Sequence, residues 1–316
     1  VSIASRSSSA FRSVVPNTIK EYIMDKLASA GRTDAAGDEK TRVLHRLDVR
    51  EGPTGAGNGS ETRVGVAVDV ETTSTIVAIG AIIELAVRSF HFDRDGIITH
   101  IGPVRSWRED PGVPLTSETT AITGLTDADV AGERIDEAEA TRVLRSASLV
   151  VAHHAAFDRP YVEGRLKEAR GLDWACSFRQ IDWRARGFDG RTLGYLLHQA
   201  GYFHRGHRAA VDVDAVIQML RVRGDGGTPV LAELIANAEA PSWVVYAQGA
   251  AFESKDALRA RGYRWDAYRR VWWTEVADDA RTAEEFWLAT NVYTVSRNAR
   301  SMAPRFEKIT AAERFL

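Results

Sequence analysis

VAVDVETTS, residues 66–74, is an apolar, strand-forming run interrupted by two carboxylates, Asp69 and Glu71, and closed by Thr72 and Thr73. Side chains alternate along a strand, so Asp69 and Glu71 project to one face while Val68 and Val70 project to the other. Two acids side by side at the end of a buried strand repel each other, at a cost relieved only if a cation lies between them or one stays protonated. A divalent metal meets that need. A solvated edge strand also accounts for an isolated DxE pair, so the rest of the chain has to decide between the two.

A chain of 316 residues, 44% of them hydrophobic, is long enough for one sizeable core and a smaller appendage. Its formal net charge of −2 excludes a globally basic nucleic-acid binder and confines any binding surface to a local patch. The single cysteine, Cys176, has no intramolecular disulfide partner, and no apolar run approaches the roughly 18 residues that span a bilayer. Both features fit a reducing cytoplasm with no membrane partner. The first twenty residues lack acids and carry Arg6, Arg12 and Lys20 among serines, a pattern shared by transit peptides and by disordered tails.

Around residues 66–74 the chain divides by composition. Residues 1–62, rich in Ser, Ala, Gly and charge, read as a largely disordered tail and linker with one amphipathic helix near Thr18–Ala30. Within it GPTGAGNGS, residues 52–60, is no phosphate-binding loop: it lacks the preceding strand and the following Lys-Ser or Lys-Thr at a helix start. A flexible linker is expected there. Residues 63–223 read as a folded domain, 224–240 as a linker helix and 241–316 as a Trp- and Arg-rich module.

Inside 63–223, Ile76–Val87 reads as a second buried strand, and a turn at Asp93–Gly96 leads into a third, an antiparallel meander. An amphipathic helix covers Ile135–Ser146, and Leu149–Ala152 is a short strand running into His153, His154 and Asp158. Pro160 suits a helix first turn and places Asp158 at the strand-to-helix junction. A strand near Phe178–Asp182 and a helix over Leu193–Ala200 follow. Then come His204 and His207 ahead of a helix bearing Asp212 and Asp214. Five residues apart on a helix, His207 and Asp212 would lie about 140° apart. With the helix starting near Arg208, the His207 ring sits on the preceding loop and can turn toward Asp212.

Five of the eight tryptophans fall between Trp243 and Trp287, interleaved with Arg259, Arg261, Arg264, Arg269 and Arg270. A strand (SWVVYA), a helix over Ser254–Arg261, a hairpin around Asp266–Arg269 and a helix over Thr282–Leu288 are expected. The aromatics are either the core of a small module with few aliphatics or a stacking platform for single-stranded nucleic acid, and the two are compatible.

DVETT (residues 69–73), HHAAFD (153–158) and HRAAVD (207–212) resemble, in order and separation, the DxETT, HNAxFD and HxAxxD motifs of the DEDDh (DnaQ-like) 3'-5' exonucleases, the group of the bacterial proofreading subunit and RNase T. PLTSETTAITGLTDADVAG (114–132) is similar to the stretch that precedes that family's second motif. Two departures stand out: His154 replaces the usual asparagine, and Asp214 is a second acid on the last helix, where the five-residue step from His207 selects Asp212.

The resemblance implies a ribonuclease H-like α/β fold, a mixed β-sheet flanked by helices, with a small α+β C-terminal module. It implies that Asp69, Glu71, Asp158 and Asp212 hold two divalent cations, Mg²⁺ or Mn²⁺. It makes His207 the general base and puts Thr72, Thr73, Phe157 and His154 against the substrate, with core packing the alternative for Phe157. The implied reaction is hydrolysis of phosphodiester bonds at single-stranded or frayed 3' ends of DNA or RNA, with a DNA polymerase or repair complex as the partner class. The rival is a non-catalytic nucleic-acid-binding or scaffold protein on the same fold.

Overall fold

The computed structural model describes residues 41–59, 61–224, 226–293 and 303–315. The chain divides into two compact units, Val1–Val43 and Leu44–Leu316. Of the first, only residues 41–43 are described, and the helix expected at Thr18–Ala30 lies outside the described residues.

The strands of the second unit are β1 (His45–Arg46), β2 (Gly52–Pro53), β3 (Arg63–Thr72), β4 (Ile82–Phe92), β5 (Ile98–Arg108), β6 (Leu149–Ala152), β7 (Trp174–Cys176), β8 (Tyr202–Phe203), β9 (Ser242–Ala247), β10 (Arg264–Asp266), β11 (Val271–Ala277) and β12 (Arg305–Ile309). The helices are α1 (Ser117–Thr123), α2 (Asp127–Val130), α3 (Glu137–Arg145), α4 (Ala155–Arg165), α5 (Leu193–Gln199), α6 (Ala209–Arg221), α7 (Val230–Glu239), α8 (Lys255–Ala260) and α9 (Arg281–Leu288). Among the described residues no helix is long and apolar enough to cross a membrane.

The main sheet runs β2-β5-β4-β3-β6-β7. The expected meander is present, β3, β4 and β5 pairing antiparallel, and β6 and β7 then add in parallel on the other side of β3. This makes β3 a central strand, and its alternation sets the two layers. Val66, Val68 and Val70 pack with α3 and α4 through Val143, Leu144, Tyr161 and Val162. Ala67 faces the opposite core, built from Leu196 and Leu197 of α5, Val213, Val216 and Leu220 of α6, and Leu231 and Leu234 of α7. The fold is a mixed sheet between helical layers, as the α/β reading requires. Asp69 and Glu71 continue the Ala67 side, at the end of β3.

Three expectations change. The apolar run at Ile76 does not begin the second strand. Residues 75–80 form a loop with Ile76 and Ile79 59% and 75% exposed, and β4 starts only at Ile82. The loop is closed by Thr73 N–H to Ala81 O and by Ala81 N–H to Thr73 Oγ1, and the Tyr161 hydroxyl lies over Gly80 where a Cβ would come within 2.2 Å of it. β-Branched composition therefore says strand where the return of an antiparallel pair needs a connection. The strand expected at Phe178–Asp182 lies earlier, at β7, because Trp174–Cys176 is the run buried on both faces. Finally, residues 44–59 are integral to the fold. β1 pairs with β8, β2 pairs with β5, Val49 is buried, and Asn58 bonds to Asp93 and Asp95. Glycine-rich polar composition conceals pairing supplied by distant sheet edges.

Beyond α7 a second sheet, β10-β11-β9-β12, packs one face on α8 and α9 around Val245, Ala247, Leu258, Tyr263 and Leu288. The strand β12, absent from the sequence reading, lies antiparallel to β9.

Candidate active site

Three elements deliver the acids. β3 carries Asp69 and Glu71 on one face, and the antiparallel register shifts between Glu71 and Thr72, so the strand end bends as it leaves the sheet. α4 begins directly after β6 with Asp158 in its first turn, where a carboxylate meets the positive end of the helix. α6 starts behind Arg208, its apolar positions 209, 213, 216 and 220 facing the sheet, which brings Asp212 in its first turn back over the β3 end.

Asp69, Glu71 and Asp212 each offer an oxygen within 4.8 Å of the others. Asp158 is buried behind them and is not part of that triad. Its Oδ1 accepts the Val70 N–H at 3.2 Å, tying α4 to β3 between the two acids. Asp212 and Asp214 differ by partner: Asp212 joins the acidic group, while Asp214 is paired with the buried Arg88, which also donates to Gly102 O.

Electrostatically the cluster is uncompensated. Burial, then the carboxylates of Asp158, Asp212, Glu71 and Glu84, push Asp69 well above the usual carboxylate range. Burial and the neighbouring Asp212, Glu84 and Asp158 push Glu71 up to about 8, Arg208 opposing. Burial raises Asp158 to about 7, against the lowering effect of the Val70 N–H. Hard oxygen donors converging with excess negative charge are the donor set that divalent Mg²⁺ or Mn²⁺ prefers, so these residues fit a metal site.

Sequence reading missed Glu84. It lies directly across from Glu71 on β4 and is 2% exposed. Arg208 grips it through Nε and Nη2 at 3.1 and 3.0 Å, and the Ala209 N–H donates to the same carboxylate. This pair fixes where α6 begins. No local signal predicts it, since its partner is 124 residues away.

The histidines sort by environment. His153 is buried, its Nε2–H donating to Arg191 O and its Nδ1 accepting from Ser177 Oγ, and burial lowers it to about 4, a neutral structural ring. His204 is closest to the acids: its Nε2–H donates to Asp212 Oδ1 at 2.9 Å, while the other Asp212 oxygen accepts the Arg208 N–H. His207 is exposed on the loop with φ 61°, a left-handed conformation unusual for a residue with a side chain. The structure thus brings His204, rather than His207, onto Asp212.

Thr72 and Thr73 are half-buried and partly spent on the loop, Thr72 Oγ1 donating to Ser74 O. Phe157 is half-buried against the α3–α4 core and stacks on the exposed His154 at 6.4 Å and 19°. The buried Tyr161 lies 5.2 Å from Phe157, so Phe157 bridges that core to His154.

Residues 66–220 match the family model described as Exonuclease, of the RNase T type. A 99-residue stretch is 36% identical to the PolC-type DNA polymerase III of Streptococcus suis (strain 98HAH33), covering 29% of this chain and only 6% of that much longer protein. Among solved structures, exonuclease X in complex with 5' overhanging duplex DNA overlays with a TM-score of 0.39 and 19% identity, over 53% of this chain and 99% of that one. The zinc-bound complex of E. coli exonuclease I with single-stranded DNA gives 0.44 and 15%, over 79% and 64%. With both scores below 0.5, the match over residues 66–220 is the one that bears on the site.

Proposed function

Because residues 66–220 belong to the RNase T-type exonuclease family, we propose that this chain is a metal-dependent 3'-5' exonuclease acting on single-stranded or frayed 3' ends of DNA or RNA and releasing nucleoside 5'-monophosphates. The observation that carries the reading is the convergence of Asp69, Glu71 and Asp212 within 4.8 Å. Asp69, Glu71 and Asp212, with Asp158 behind them, would hold the divalent cations, two by the family pattern. Such ions supply Lewis-acid charge neutralisation at the phosphoryl oxygens and lower the pKa of a bound water.

The chain's own side chains do the rest. Asp158, anchored to the Val70 N–H, holds α4 against β3 and fixes the spacing of the acids. Glu84 and Arg208 set the start of α6 and hence the position of Asp212. His207, exposed on the loop ahead of α6, accepts the proton of the attacking water. His204 holds Asp212 in place through Nε2–H. Thr72 and Thr73 line the strand end at which the terminal nucleotide would rest, and the His154–Phe157 stack offers its base an apolar wall. The exposed Ile76 and Ile79 loop lies immediately after those threonines.

A complete acidic set speaks against a purely scaffolding role. The PolC-type match supports a polymerase or repair complex as partner, tested by the size of the native particle in extract. The activity is tested with 3'- and 5'-labelled DNA and RNA oligonucleotides, with Mg²⁺, Mn²⁺ or EDTA. Metal-dependent shortening from the 3' end, abolished by Asp69→Ala and by Asp212→Ala, is expected. Absence of any shortening by the wild-type chain with either metal overturns the proposal.

A further inference from the structure

One face of the C-terminal sheet packs on helices, and the other is covered at its Ser242–Glu275 end, where Arg314 docks. Val245, Ala247, Trp272, Val276 and Phe306 point toward α8 and α9 and join that core. The alternate positions point the other way, and their register puts one residue from every strand in a single row: Arg264 opposite Trp273, Trp273 opposite Tyr246, Tyr246 opposite Arg305. None of Arg264, Trp273, Tyr246 and Arg305 belongs to a described hydrophobic cluster.

The row is built of guanidinium groups lying on rings. Arg264 sits 4.3 Å from the Trp273 ring centre, and Arg269 and Arg305 sit 5.8 and 5.9 Å from that of Tyr246, with Arg269 Nη1–H donating to the Tyr246 hydroxyl at 2.9 Å. Beside it Tyr246, Gln248, Arg269, Arg270, Arg305 and Glu307 line a pocket of about 440 Å³. The acids nearby are already engaged. Asp266 accepts the Tyr268 and Arg269 N–H groups, Glu307 pairs with Arg305, and Glu275 pairs with Arg314 and Ser242. Arg264 and Arg270 have no carboxylate partner among the described residues. Arg270 lines the adjoining pocket from the β10–β11 turn with φ 53°.

Stacking on an aromatic ring fixes the plane of a guanidinium and leaves its N–H edges as donors, the arrangement suited to bidentate contact with phosphate. In the β10–β11 turn, Tyr268 is 97% exposed, leaving its ring faces for an unstacked base. We propose that this open part of the sheet face is a second nucleic-acid site, holding the phosphodiester backbone of a single strand on Arg264 and Arg270 away from the acidic cluster. The identity of the occupant rests on the exonuclease reading, while the site itself rests on the arginine row.

The test uses the full chain in EDTA, where no strand is cut, with fluorescein-labelled oligothymidylate and oligouridylate about twenty nucleotides long read by anisotropy. Arg264→Gln combined with Arg270→Gln, both exposed and outside the core, is expected to raise Kd about tenfold or more and to flatten its salt dependence by roughly two phosphate contacts. Arg94→Gln, an exposed arginine of the β4–β5 turn, controls for general charge and should change neither. Metal-dependent cleavage of a trinucleotide, too short to span two sites, should proceed at the wild-type rate in the double variant. The two oligonucleotides separate DNA from RNA preference, and tighter binding of either supports the site. Unchanged Kd for both in the double variant overturns it, as would be found if the face held a protein partner. A wild-type chain that binds through these arginines yet never cleaves the trinucleotide removes the exonuclease reading and keeps the site.

Discussion

At the scale of single residues, the acids behave as a site waiting for positive charge. Asp69, Glu71 at about 8 and Asp158 at about 7 lie above their unfolded values near 4, so without metal the folded chain binds more protons than the unfolded chain between those limits. Stability from these groups is therefore present below about pH 4 and lost as pH rises through 7 to 8. In EDTA the Tm should fall by several degrees between pH 5.5 and 8.5, and excess Mg²⁺ or Mn²⁺ should cancel the fall. Glu71→Gln should flatten the metal-free profile and abolish cleavage together; a profile as steep as wild type would show that Glu71 is not a strained member of the cluster. The two histidines separate in the same way. His207→Asn should lower kcat by about 10²- to 10⁴-fold with metal affinity intact. His204→Asn should weaken metal binding by about 10- to 100-fold, with kcat recovering at saturating metal, since the ring only positions Asp212. The reverse pattern would move the base role to His204.

At the scale of elements, the site depends on where α6 starts, and a buried ion pair from outside the motifs decides that. Replacing Arg208 by Ala leaves the Glu84 carboxylate buried without its cation, at a cost on the order of 3 kcal/mol or more, read as a lower urea midpoint. Glu84→Gln keeps an acceptor for the Ala209 N–H but loses the charge, so it should retain most stability while kcat falls about tenfold through a misplaced Asp212. Equal losses of stability in both variants would reduce the pair to a structural one. These elements also mark what sequence conveys. The period-two alternation of β3 and the Asp158–Pro160 junction are local, so the acids were legible in the sequence. Glu84 was not, because its meaning lies in contacts across 124 residues. Nor was the loop over Ile76 and Ile79, because β-branched composition reports packing preference and not whether a partner covers the surface. The His204 contact was not legible either, because it reaches Asp212 across the eight residues that run from the loop into α6.

At the scale of the molecule, two arginines lock the C-terminal segment to the main-sheet domain, and one of them is the neighbour of Asp158. Arg159, 1% exposed, donates to Ala311 O, Ala312 O and Arg314 O at 3.3, 2.5 and 2.7 Å while pairing with Glu163. Arg314, 5% exposed, donates in return to Ala238 O at 3.1 Å and Ala240 O at 2.9 Å, and reaches Ser242 and Glu275 in the second sheet. Ala311 O also accepts the edge N–H of Trp174 on β7. The turn after β12 thus joins α4, the end of α7 and both sheets, none of which is legible in a polar C-terminal sequence. Arg314→Ala should leave buried carbonyls without donors and cost about 3 kcal/mol or more. Because the same turn is the far support of the helix that carries Asp158, the loss should appear as one cooperative urea transition at a lower midpoint, with kcat reduced even where the variant remains folded. Two separate transitions, the second sheet melting first with kcat preserved, would mean that the C-terminal module is a passive attachment and that α4 holds Asp158 without it.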